Sequence, residues 1–349
     1  MRLSICIPTY NRSAHLANCL QSIISNRSIS EIEFQVCVSD NCSTDETEQV
    51  VRRAQASIPI KYRRNPQNLG IPRNFLNVVE MADGEFAWLI GDDDLLLPYA
   101  LEELSAVFTE YPDVDFFYIN SYQSTTQHVF SFPQPFDTCN LPKAMTPFSS
   151  WPNSGEVMFM DLVNPKISFD FLGGIFLSVF RRRNWMQNVS ALNEAAVSDL
   201  RVFSHFDNTF PHVKIFSKAF ASSKAFFLAR PLSVNLTGAR EWAPMYSFVR
   251  SVRLTEALSE YRQNGLPLVR YLQCRNFALN SFIPDLVLMF IHRDSSGYSY
   301  VKPLRLVLGN VLYPNFYLSF FYPLFQQSFW CKLKKIIVRY VCFWGSVES

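Results

Sequence analysis

The sequence lacks a strong excess of charge of either sign. It has 32 lysine and arginine residues against 30 aspartate and glutamate residues, which leaves a net charge of +2. Proteins that bind nucleic acid typically carry a marked basic excess, so this composition gives no reason to expect a nucleic acid partner. The 349 residues are enough for one large domain or two, with a sizeable core.

The sequence also lacks the cysteine spacing of a metal or disulfide scaffold. Its eight cysteines form no Cys-x-x-Cys pair and follow no regular spacing. Scattered cysteines of this kind are typical of a reducing, cytosolic environment. No apolar signal segment opens the chain, because residues 3–7 already have the pattern of a strand. We therefore expect a cytoplasmic protein.

Short apolar runs alternate with helical patterns over the first 120 residues. Strands are predicted over residues 3–7, 33–38, 60–63, 85–90 and 114–119. The apolar residues between them recur with helical spacing. Strands that alternate with helices indicate βαβ units, so the sequence predicts an α/β fold with a mostly parallel sheet.

Three consecutive carboxylates, Asp92, Asp93 and Asp94, follow the fourth predicted strand. Open α/β sheets bind ligands at the carboxyl ends of their strands. Neighbouring carboxylates repel one another unless a cation or a cluster of donors lies among them. Because Mg²⁺ is typically held by one or two carboxylates plus substrate phosphates, the run predicts a metal–diphosphate site. The alternative is a solvated acidic loop that stabilises the N-terminus of the helix after Pro98.

Other polar residues follow the neighbouring predicted strands. They are Thr9, Asn11, Asp40, Asn41, Asn68 and Arg73. Residues at successive strand ends converge on one crevice, which predicts a shared ligand site. Asp40 has two interpretations. It could accept a hydrogen bond from a nucleotide base, or it could form an Asx turn before a helix with a Ser43–Glu46 capping box.

Four segments resemble the successive motifs of the GT-A glycosyltransferases of family two. They are residues 7–12 (Ile-Pro-Thr-Tyr-Asn-Arg), 38–45 (Val-Ser-Asp-Asn-Cys-Ser-Thr-Asp), 68–74 (Asn-Leu-Gly-Ile-Pro-Arg-Asn) and 91–94 (Gly-Asp-Asp-Asp). The resemblance implies a GT-A fold with a nucleotide-sugar-binding half over residues 1–120 and an acceptor-binding half over residues 121–235. Enzymes of this family move a sugar from a nucleotide diphosphate to an acceptor hydroxyl, usually with Mg²⁺ or Mn²⁺.

The resemblance also implies roles for individual residues. By the resemblance, the nucleotide would be lined by Pro8, Thr9, Asp40 and Asn68. The full set of residues expected at the nucleotide-sugar site also includes Tyr10, Asn11, Asn41, Gly70, Arg73 and Asp92. Asp92 would lie near the ribose, Asp93 would hold the metal ion, and Asp94 is the second candidate ligand. The family often has an aspartate where this chain has Gly91, so the chain departs from the pattern there.

Within the family, the chain is similar to O-antigen enzymes of the abequosyltransferase type. The similarity rests on residues 63–76, 173–185 and 210–213. It implies a CDP-activated 3,6-dideoxyhexose, such as abequose, as donor and a lipid-linked oligosaccharide as acceptor. The expected role is therefore in lipopolysaccharide or other surface polysaccharide synthesis.

A pair of glycines stands out in the second half of the chain. Gly173 and Gly174 precede an apolar strand predicted over residues 175–180. Paired glycines let a backbone approach another group closely, so they could form a floor under the donor sugar or the acceptor. The alternative is a sheet bulge.

The second half also contains the candidates for a general base. An inverting transfer needs a base near the acceptor hydroxyl. The ionisable cluster in this part of the chain offers Asp207, His212 and Asp199. The resemblance implies a carboxylate at the start of a helix, and Pro211 begins a predicted helix in this region.

Residues 236–349 are predicted to form a helical region with an aromatic-rich tail. Helices are predicted over residues 244–261 and 269–291, the second interrupted at Pro284. No residue between Arg305 and Lys332 is charged. A basic cluster of Lys332, Lys334, Lys335 and Arg339 follows, which predicts a segment lying in the interface of an anionic leaflet. A buried wall of the acceptor half and a spanning helix are the alternatives.

Two other functions are alternatives to glycosyl transfer. A sugar nucleotidylyltransferase needs a glycine-rich phosphate loop with a basic residue after the first strand, and residues 8–11 (Pro-Thr-Tyr-Asn) stand there instead. A glycan- or membrane-binding protein with a degenerate site is the non-enzymatic alternative. The intact Asp40 and acidic run argue against it. We therefore expect a peripheral glycosyltransferase on the inner face of the cell membrane.

Overall fold

A mixed β-sheet lies at the centre of the fold. The structure, a computed structural model, describes residues 2–27, 32–238 and 242–321. Within these residues the strands are β1 (Leu3–Thr9), β2 (Phe34–Asp40), β3 (Ile60–Arg64), β4 (Phe86–Leu89), β5 (Leu95–Leu96), β6 (Phe116–Thr125), β7 (Thr146–Pro147), β8 (Gly155–Met158), β9 (Ser178–Arg181) and β10 (Lys224–Thr237).

The strand order of the sheet is β3-β2-β1-β4-β9-β6-β10-β5. The first four strands are parallel to their neighbours, and β10 is parallel to β6, whereas β9 runs antiparallel to both β4 and β6. The predicted α/β fold with a mostly parallel sheet is therefore confirmed. Because β1 to β4 are parallel, their carboxyl ends share one edge, and Thr9 lies directly opposite Asp40 there.

The helices flank this sheet and continue beyond it. Within the described residues they are α1 (Ser13–Arg27), α2 (Thr47–Ala54), α3 (Ile71–Glu80), α4 (Ala100–Glu110), α5 (Thr126–Val129), α6 (Arg182–Asn188), α7 (Glu194–Val197), α8 (Phe206–Thr209), α9 (Pro211–Ala219), α10 (Tyr246–Phe248), α11 (Leu254–Gln263), α12 (Leu268–Ala278), α13 (Phe282–Ile291), α14 (Pro303–Leu308) and α15 (Pro314–Leu318).

Phenylalanine side chains fill the core between the second part of the sheet and α9. The Phe116 ring of β6 lies 4.9–5.8 Å, centroid to centroid, from the rings of Phe159, Phe171, Phe216 and Phe220. Most of these pairs are edge-to-face, the arrangement that the aromatic quadrupole favours. A large share of the aromatic residues therefore serves packing.

The described residues divide into two compact units. The first comprises residues 2–238 and 257–270, and the second comprises residues 242–256 and 271–321. The whole sheet belongs to the first unit. The regions predicted as separate halves, 1–120 and 121–235, therefore share one sheet. Strand β9 and most of β10 come from the second region, and β6 crosses the boundary between the two.

The second unit is helical and has a small core of its own. Leu279, Phe282 and Phe316 pack together there. The carboxylate of Asp285 is fully buried and accepts hydrogen bonds from Arg250 and Ser251. Within the described residues, no single helix is long and apolar enough to cross a membrane. Only α12 and α13 taken together, with a bend of 49° between them, reach that length and composition.

Four local expectations differ from the structure. The Ser43–Glu46 capping box is wrong, because Asp45 instead accepts the Thr47 N–H at the start of α2. The strand expected over residues 175–180 begins only at residue 178, after a 3₁₀ turn.

The other two concern helix and loop limits. The break expected at Pro284 lies at residues 279–281, since a proline in the first turn of α13 has no hydrogen bond to lose. Residues 121–151 are rich in Ser, Thr, Gln, Pro and Phe, which predicts an irregular crossing between the two halves. The irregular part begins later than this, because β6 continues to Thr125.

Candidate functional site

The acidic run lies in a tight turn between β4 and β5. Asp92, Asp93 and Asp94 are 3%, 7% and 1% exposed. The interpretation as a solvated acidic loop is therefore wrong. A Cβ atom at Gly91 would lie 2.6 Å from Oδ1 of Asp93. Glycine therefore stands at the position where the family often has aspartate because a side chain there would displace the Asp93 carboxylate.

Asp94 fastens the turn to the rest of the sheet. Its Oδ2 accepts a hydrogen bond from the Gly91 N–H at 2.7 Å, and its Oδ1 accepts one from Asn235 of β10, also at 2.7 Å. These contacts give Asp94 a structural role. Its assignment as a metal ligand stays a prediction, and the geometry favours Asp93 instead.

Asp92 and Asp93 share the guanidinium of Arg12. Nη1 of Arg12 lies 2.7 Å from Oδ1 of Asp92, and Nη2 lies 3.1 Å from Oδ2 of Asp93. The Thr9 hydroxyl donates to the other oxygen of Asp92 at 2.8 Å. Burial raises the pKa of Asp92 to about 7, with Arg12 opposing the shift and Asp93 adding to it.

The loops after β1 and β2 are tied together at the same edge. Asn11, in the left-handed region at φ 52°, accepts a hydrogen bond from the Thr44 N–H at 2.7 Å. Its own N–H donates to the Ser43 hydroxyl at 2.9 Å. Pro8 is buried within β1, whereas the Tyr10 side chain is 41% exposed. Tyr10 and Asn11 are therefore both exposed at this edge of the sheet.

The local role expected of Asp40 is confirmed as an Asx-type turn, although its hydrogen bond reaches the N–H three residues on instead of two. Oδ1 of Asp40 accepts the Ser43 N–H at 2.8 Å, and Oδ2 accepts the Tyr62 hydroxyl at 2.7 Å. Burial, followed by this hydrogen bond, raises the pKa of Tyr62. Each carboxylate oxygen has a second lone pair, so the Asx turn does not exclude a contact with a nucleotide base. That contact stays a prediction.

A network of asparagine side chains fixes the loop between β3 and α3. Asn41 donates to Oδ1 of Asn68 at 2.8 Å, and Asn65 donates to Oδ1 of both Asn41 and Asn74, at 3.1 and 3.0 Å. Asn68 also accepts from the N–H of Gly70, whose φ of 82° suits glycine. Asn41 therefore positions the loop, while Asn68 is exposed and closer to solvent.

Arg73 connects this loop to the second half of the sheet unit. Its guanidinium forms an ion pair with Glu194 and donates to the Ser198 hydroxyl at 3.1 Å. Helix α8, which carries Asp207 in its first turn, packs against α3. The region with the candidate bases therefore lies beside the strand-end loops.

The helix that Pro211 begins, α9, has His212 and no carboxylate in its first turn. Among the candidate bases, Asp207 lies in the first turn of the short helix before it, α8. It is 5% exposed, accepts a hydrogen bond from the Asn193 N–H at 2.6 Å and forms an ion pair with Lys214 at 2.9 Å. Asp199 is instead bound by its neighbour Arg201, whose hydrogen bonds hold the pKa of Asp199 well below its usual range. Asp207 is also paired with a cation, so its role as the base stays a prediction.

The structure disfavours His212 as the base. The residue is 3% exposed and lies between the rings of Phe210 and Phe216. Within the described part of the chain, neither ring nitrogen has a hydrogen-bond partner of good geometry. Burial lowers the pKa of His212 to about 3, although the Leu172 backbone opposes the shift. The type of residue suggested a catalytic role, but its packing gives it a place in the core.

Gly173 and Gly174 lie between two 3₁₀ turns, outside any strand, so the sheet-bulge interpretation is wrong. A Cβ atom at Gly174 would lie 2.9 Å from the Asp170 carbonyl oxygen. The local backbone therefore already requires glycine at this position. A role in acceptor binding stays a prediction.

Two contributors to the site were missed from the sequence. Arg12 directly follows Asn11 in the first motif, and Asn74 ends the third motif. Their positions within the motifs could have identified both residues as part of the site. By contrast, Asn235 contacts Asp94 from 141 residues away. Nothing in the local sequence marks that contact.

The fit of a divalent ion depends on Asp93. Among the described residues, no three His, Cys, Asp or Glu side chains are grouped so that they could hold a metal ion. However, Mg²⁺ commonly takes one or two carboxylates plus substrate phosphates. Arg12 occupies Oδ2 of Asp93, and Oδ1 accepts no hydrogen bond from the described part of the chain. One carboxylate oxygen therefore suits a metal ion that also binds phosphate.

Comparison with known proteins agrees with this arrangement. The sequence model of glycosyl transferase family 2 matches residues 4–170, which include the strand-end loops and the acidic run. This match, over just under half of the chain, makes residues 4–170 similar to glycosyltransferase family 2. The match ends before the segment that contains the candidate bases, so it leaves their roles untested.

Two proteins similar in sequence to this chain extend the comparison. Abequosyltransferase RfbV of Salmonella typhimurium is 29% identical over 67% of this chain and 66% of its own length. The Campylobacter jejuni GalNAc(5)-diNAcBac-PP-undecaprenol beta-1,3-glucosyltransferase is 37% identical over 30% of this chain and 33% of its own. The alignments therefore span less than two thirds of these relatives.

A solved structure has the same fold. The structure of S. aureus TarS in complex with UDP matches 81% of this chain and 72% of its own, with 19% identity and a TM-score of 0.53. The expected GT-A fold is thereby confirmed.

Proposed function

We propose that the protein is a metal-assisted glycosyltransferase that moves a sugar from a nucleotide diphosphate to an acceptor hydroxyl. The observation that carries this proposal is the convergence of Thr9, Arg12 and the buried acidic run at one edge of the sheet. The UDP bound to the structurally similar TarS supports a nucleotide donor.

In this proposal, each part of the site has one task. The loops after β1, β2 and β3 hold the nucleotide, and Asp93 supplies a ligand to Mg²⁺ or Mn²⁺. When bound, such an ion stabilises negative charge on the departing diphosphate. The acceptor oxygen forms a bond to the sugar carbon as the bond to the diphosphate breaks. Asp207 takes the acceptor proton.

The acceptor is proposed to be a lipid-linked saccharide. The similar glucosyltransferase from C. jejuni is named for an undecaprenol-linked substrate. The likeness to abequosyltransferase RfbV supports abequose as the sugar. A CDP carrier and a role in O-antigen synthesis are proposed with it, as the family resemblance implies. The identity of the sugar is the most specific part of the proposal and is tested by the donor screen below.

We further propose that the protein works as a peripheral protein on the inner face of the cell membrane. In the second unit, Leu304, Leu308 and Leu312 are 74%, 63% and 91% exposed. Lys302 and Arg305 are exposed beside them. Exposed leucines with neighbouring basic residues suit the interface of an anionic leaflet. The basic cluster from Lys332 to Arg339 lies outside the described residues.

A donor screen tests the transferase proposal. Purified protein is incubated with Mg²⁺ or Mn²⁺ and UDP-, GDP-, CDP- and dTDP-sugars, with and without a lipid-linked acceptor. We expect release of one nucleotide, stimulated by the acceptor. Failure of every donor, with nucleotide diphosphate binding also absent, would favour a glycan-binding protein with a degenerate site.

Vesicle sedimentation tests the membrane proposal separately. Wild-type protein should sediment with anionic vesicles at low salt and less with neutral ones. A Leu304→Ser, Leu308→Ser, Leu312→Ser variant should sediment less, as should a variant with Gln at positions 332, 334, 335 and 339. Leu200→Ser is the control, because Leu200 is 66% exposed in the first unit. If the wild type does not sediment with anionic vesicles at any salt concentration, the proposed membrane location is wrong.

A further inference from the structure

Arg12 is the cation that the chain itself supplies to the acidic run. It lies between β1 and α1, where its two terminal nitrogens contact two different carboxylates, Asp92 and Asp93. The Arg12 side chain is 26% exposed, whereas those of Asp92 and Asp93 are 4% and 8% exposed. A planar guanidinium suits such a bridge because its donors form a rigid fork. The contact is therefore less accessible to water on the carboxylate side than on the arginine side.

A divalent ion at Asp93 would compete with this contact. Like charges a few ångströms apart in a partly buried site repel strongly, because the effective dielectric there is lower than in water. A second cation on Asp93 would thus weaken the hold of the carboxylate on Arg12. Arg12 is the more exposed partner of Asp93, so its guanidinium can shift more readily than the carboxylate. Thr9 holds Asp92, and Gly91 and Asn235 hold Asp94.

We infer that Arg12 and a divalent ion compete for Asp93, so that each weakens the binding of the other. Arg12 holds the acidic run together in the nucleotide-free protein and loosens its contact with Asp93 when the ion binds together with a diphosphate. The nature of the ion rests on the proposed function. Two consequences follow: the nucleotide-free protein binds the ion weakly, and removing the guanidinium strengthens ion binding.

The competition is tested by Mn²⁺ binding without nucleotide. Free Mn²⁺ is measured by electron paramagnetic resonance during titration of the wild type, Arg12→Gln and Arg52→Gln. Arg52 is the control, since it is an exposed arginine paired with Glu48 on α2. We expect Arg12→Gln to bind Mn²⁺ about tenfold more tightly than the wild type, because a competing positive charge is gone. Arg52→Gln should bind like the wild type.

Thermal unfolding gives a second readout. In EDTA, Arg12→Gln should melt below the wild type, because its buried carboxylates lose their counter-ion. Saturating Mn²⁺ should raise its melting temperature by more than that of the wild type. If Arg12→Gln is too unstable to purify, Arg12→Lys should bind Mn²⁺ with intermediate affinity, since a lysine cannot bridge both carboxylates.

The outcomes separate this inference from the proposed function. Unchanged or weaker Mn²⁺ binding by Arg12→Gln overturns the competition. A gain that persists in Arg12→Gln/Asp93→Asn also overturns it, since the ion would then lie elsewhere. Absence of nucleotide release by the wild type, with the gain in Arg12→Gln intact, would overturn only the proposed transferase function.

Discussion

The acidic run, Asp92–Asp94, and the segment with the candidate bases, residues 199–214, hold their carboxylates in different ways. The acidic run is held by Thr9 of β1, by Arg12 and by Asn235 of β10, which are remote from it in sequence. Asp199 and Asp207 are instead paired with Arg201 and Lys214, which are close to them in sequence.

This difference separates two kinds of sequence signal. Carboxylates that are buried together by elements distant in sequence depend on the tertiary fold. Their concentrated negative charge can bind a cationic ligand. A carboxylate paired with a near neighbour needs only local structure. Residue type alone therefore indicates less than position at a strand end. The predictions below test how far this distinction holds.

The largest expected effect concerns Asp207. Asp207→Asn should lower the turnover number by about 100-fold or more, because a general base is lost. His212→Gln should retain most of the turnover, since His212 is a core residue in this account. Steady-state nucleotide release with donor and acceptor measures both. The reverse ranking would make His212 the base and would remove the contrast between the two segments.

The next effect concerns the contact between Asp94 and Asn235. Asp94→Ala should lower the free energy of unfolding by about 3 kcal/mol, because the Gly91 N–H and the Asn235 amide lose a buried charged acceptor. Urea unfolding of Asp94→Ala, Asn235→Ala and the double variant measures the coupling. Additive effects would show that the long-range contact does not fasten the turn.

A smaller effect should appear in the pH dependence of stability. Burial lowers the pKa of His212 to about 3, so the unfolded chain binds the proton at a higher pH than the folded chain does. Stability from this residue is therefore complete above its ordinary pKa and is lost as the pH falls. Between pH 7 and pH 5 the loss is about 2 kcal/mol.

Urea unfolding at several pH values checks this expectation. His212→Gln should remove that part of the pH dependence while leaving the rest of the profile in place. An identical pH profile in the wild type and the variant would mean that the folded protein can protonate His212.

The smallest effect separates the two roles of Asp40. Tyr62→Phe removes one hydrogen bond to Oδ2 and should cost about 1 kcal/mol of stability with no loss of nucleotide affinity. Asp40→Ala should weaken both stability and nucleotide binding, if the carboxylate also contacts the base. Calorimetric titration with nucleotide diphosphates measures the affinity. Unchanged affinity in Asp40→Ala would leave only the Asx turn.

Strand-end residues could be predicted from sequence because apolar runs and helical spacing locate the strand ends. Asp40 and Asp92 lie at the carboxyl edge of the sheet, as the sequence pattern predicts. The burial of His212 could not be predicted, because it depends on Phe210 and Phe216 and on the elements that they pack against. The Asp94–Asn235 contact depends on how β10 returns to the sheet. Sequence periodicity carries no information on such pairings.

The central claim is that Asp93 holds a divalent ion together with a nucleotide diphosphate. Isothermal titration of the wild type and Asp93→Asn with UDP, GDP, CDP and dTDP, in Mn²⁺ and in EDTA, tests it most directly. The account predicts that the wild type binds at least one nucleotide in Mn²⁺ and loses most of that affinity in EDTA. Asp93→Asn should bind weakly in both while keeping its thermal stability. Equal nucleotide binding by both proteins, with or without Mn²⁺, would contradict the account.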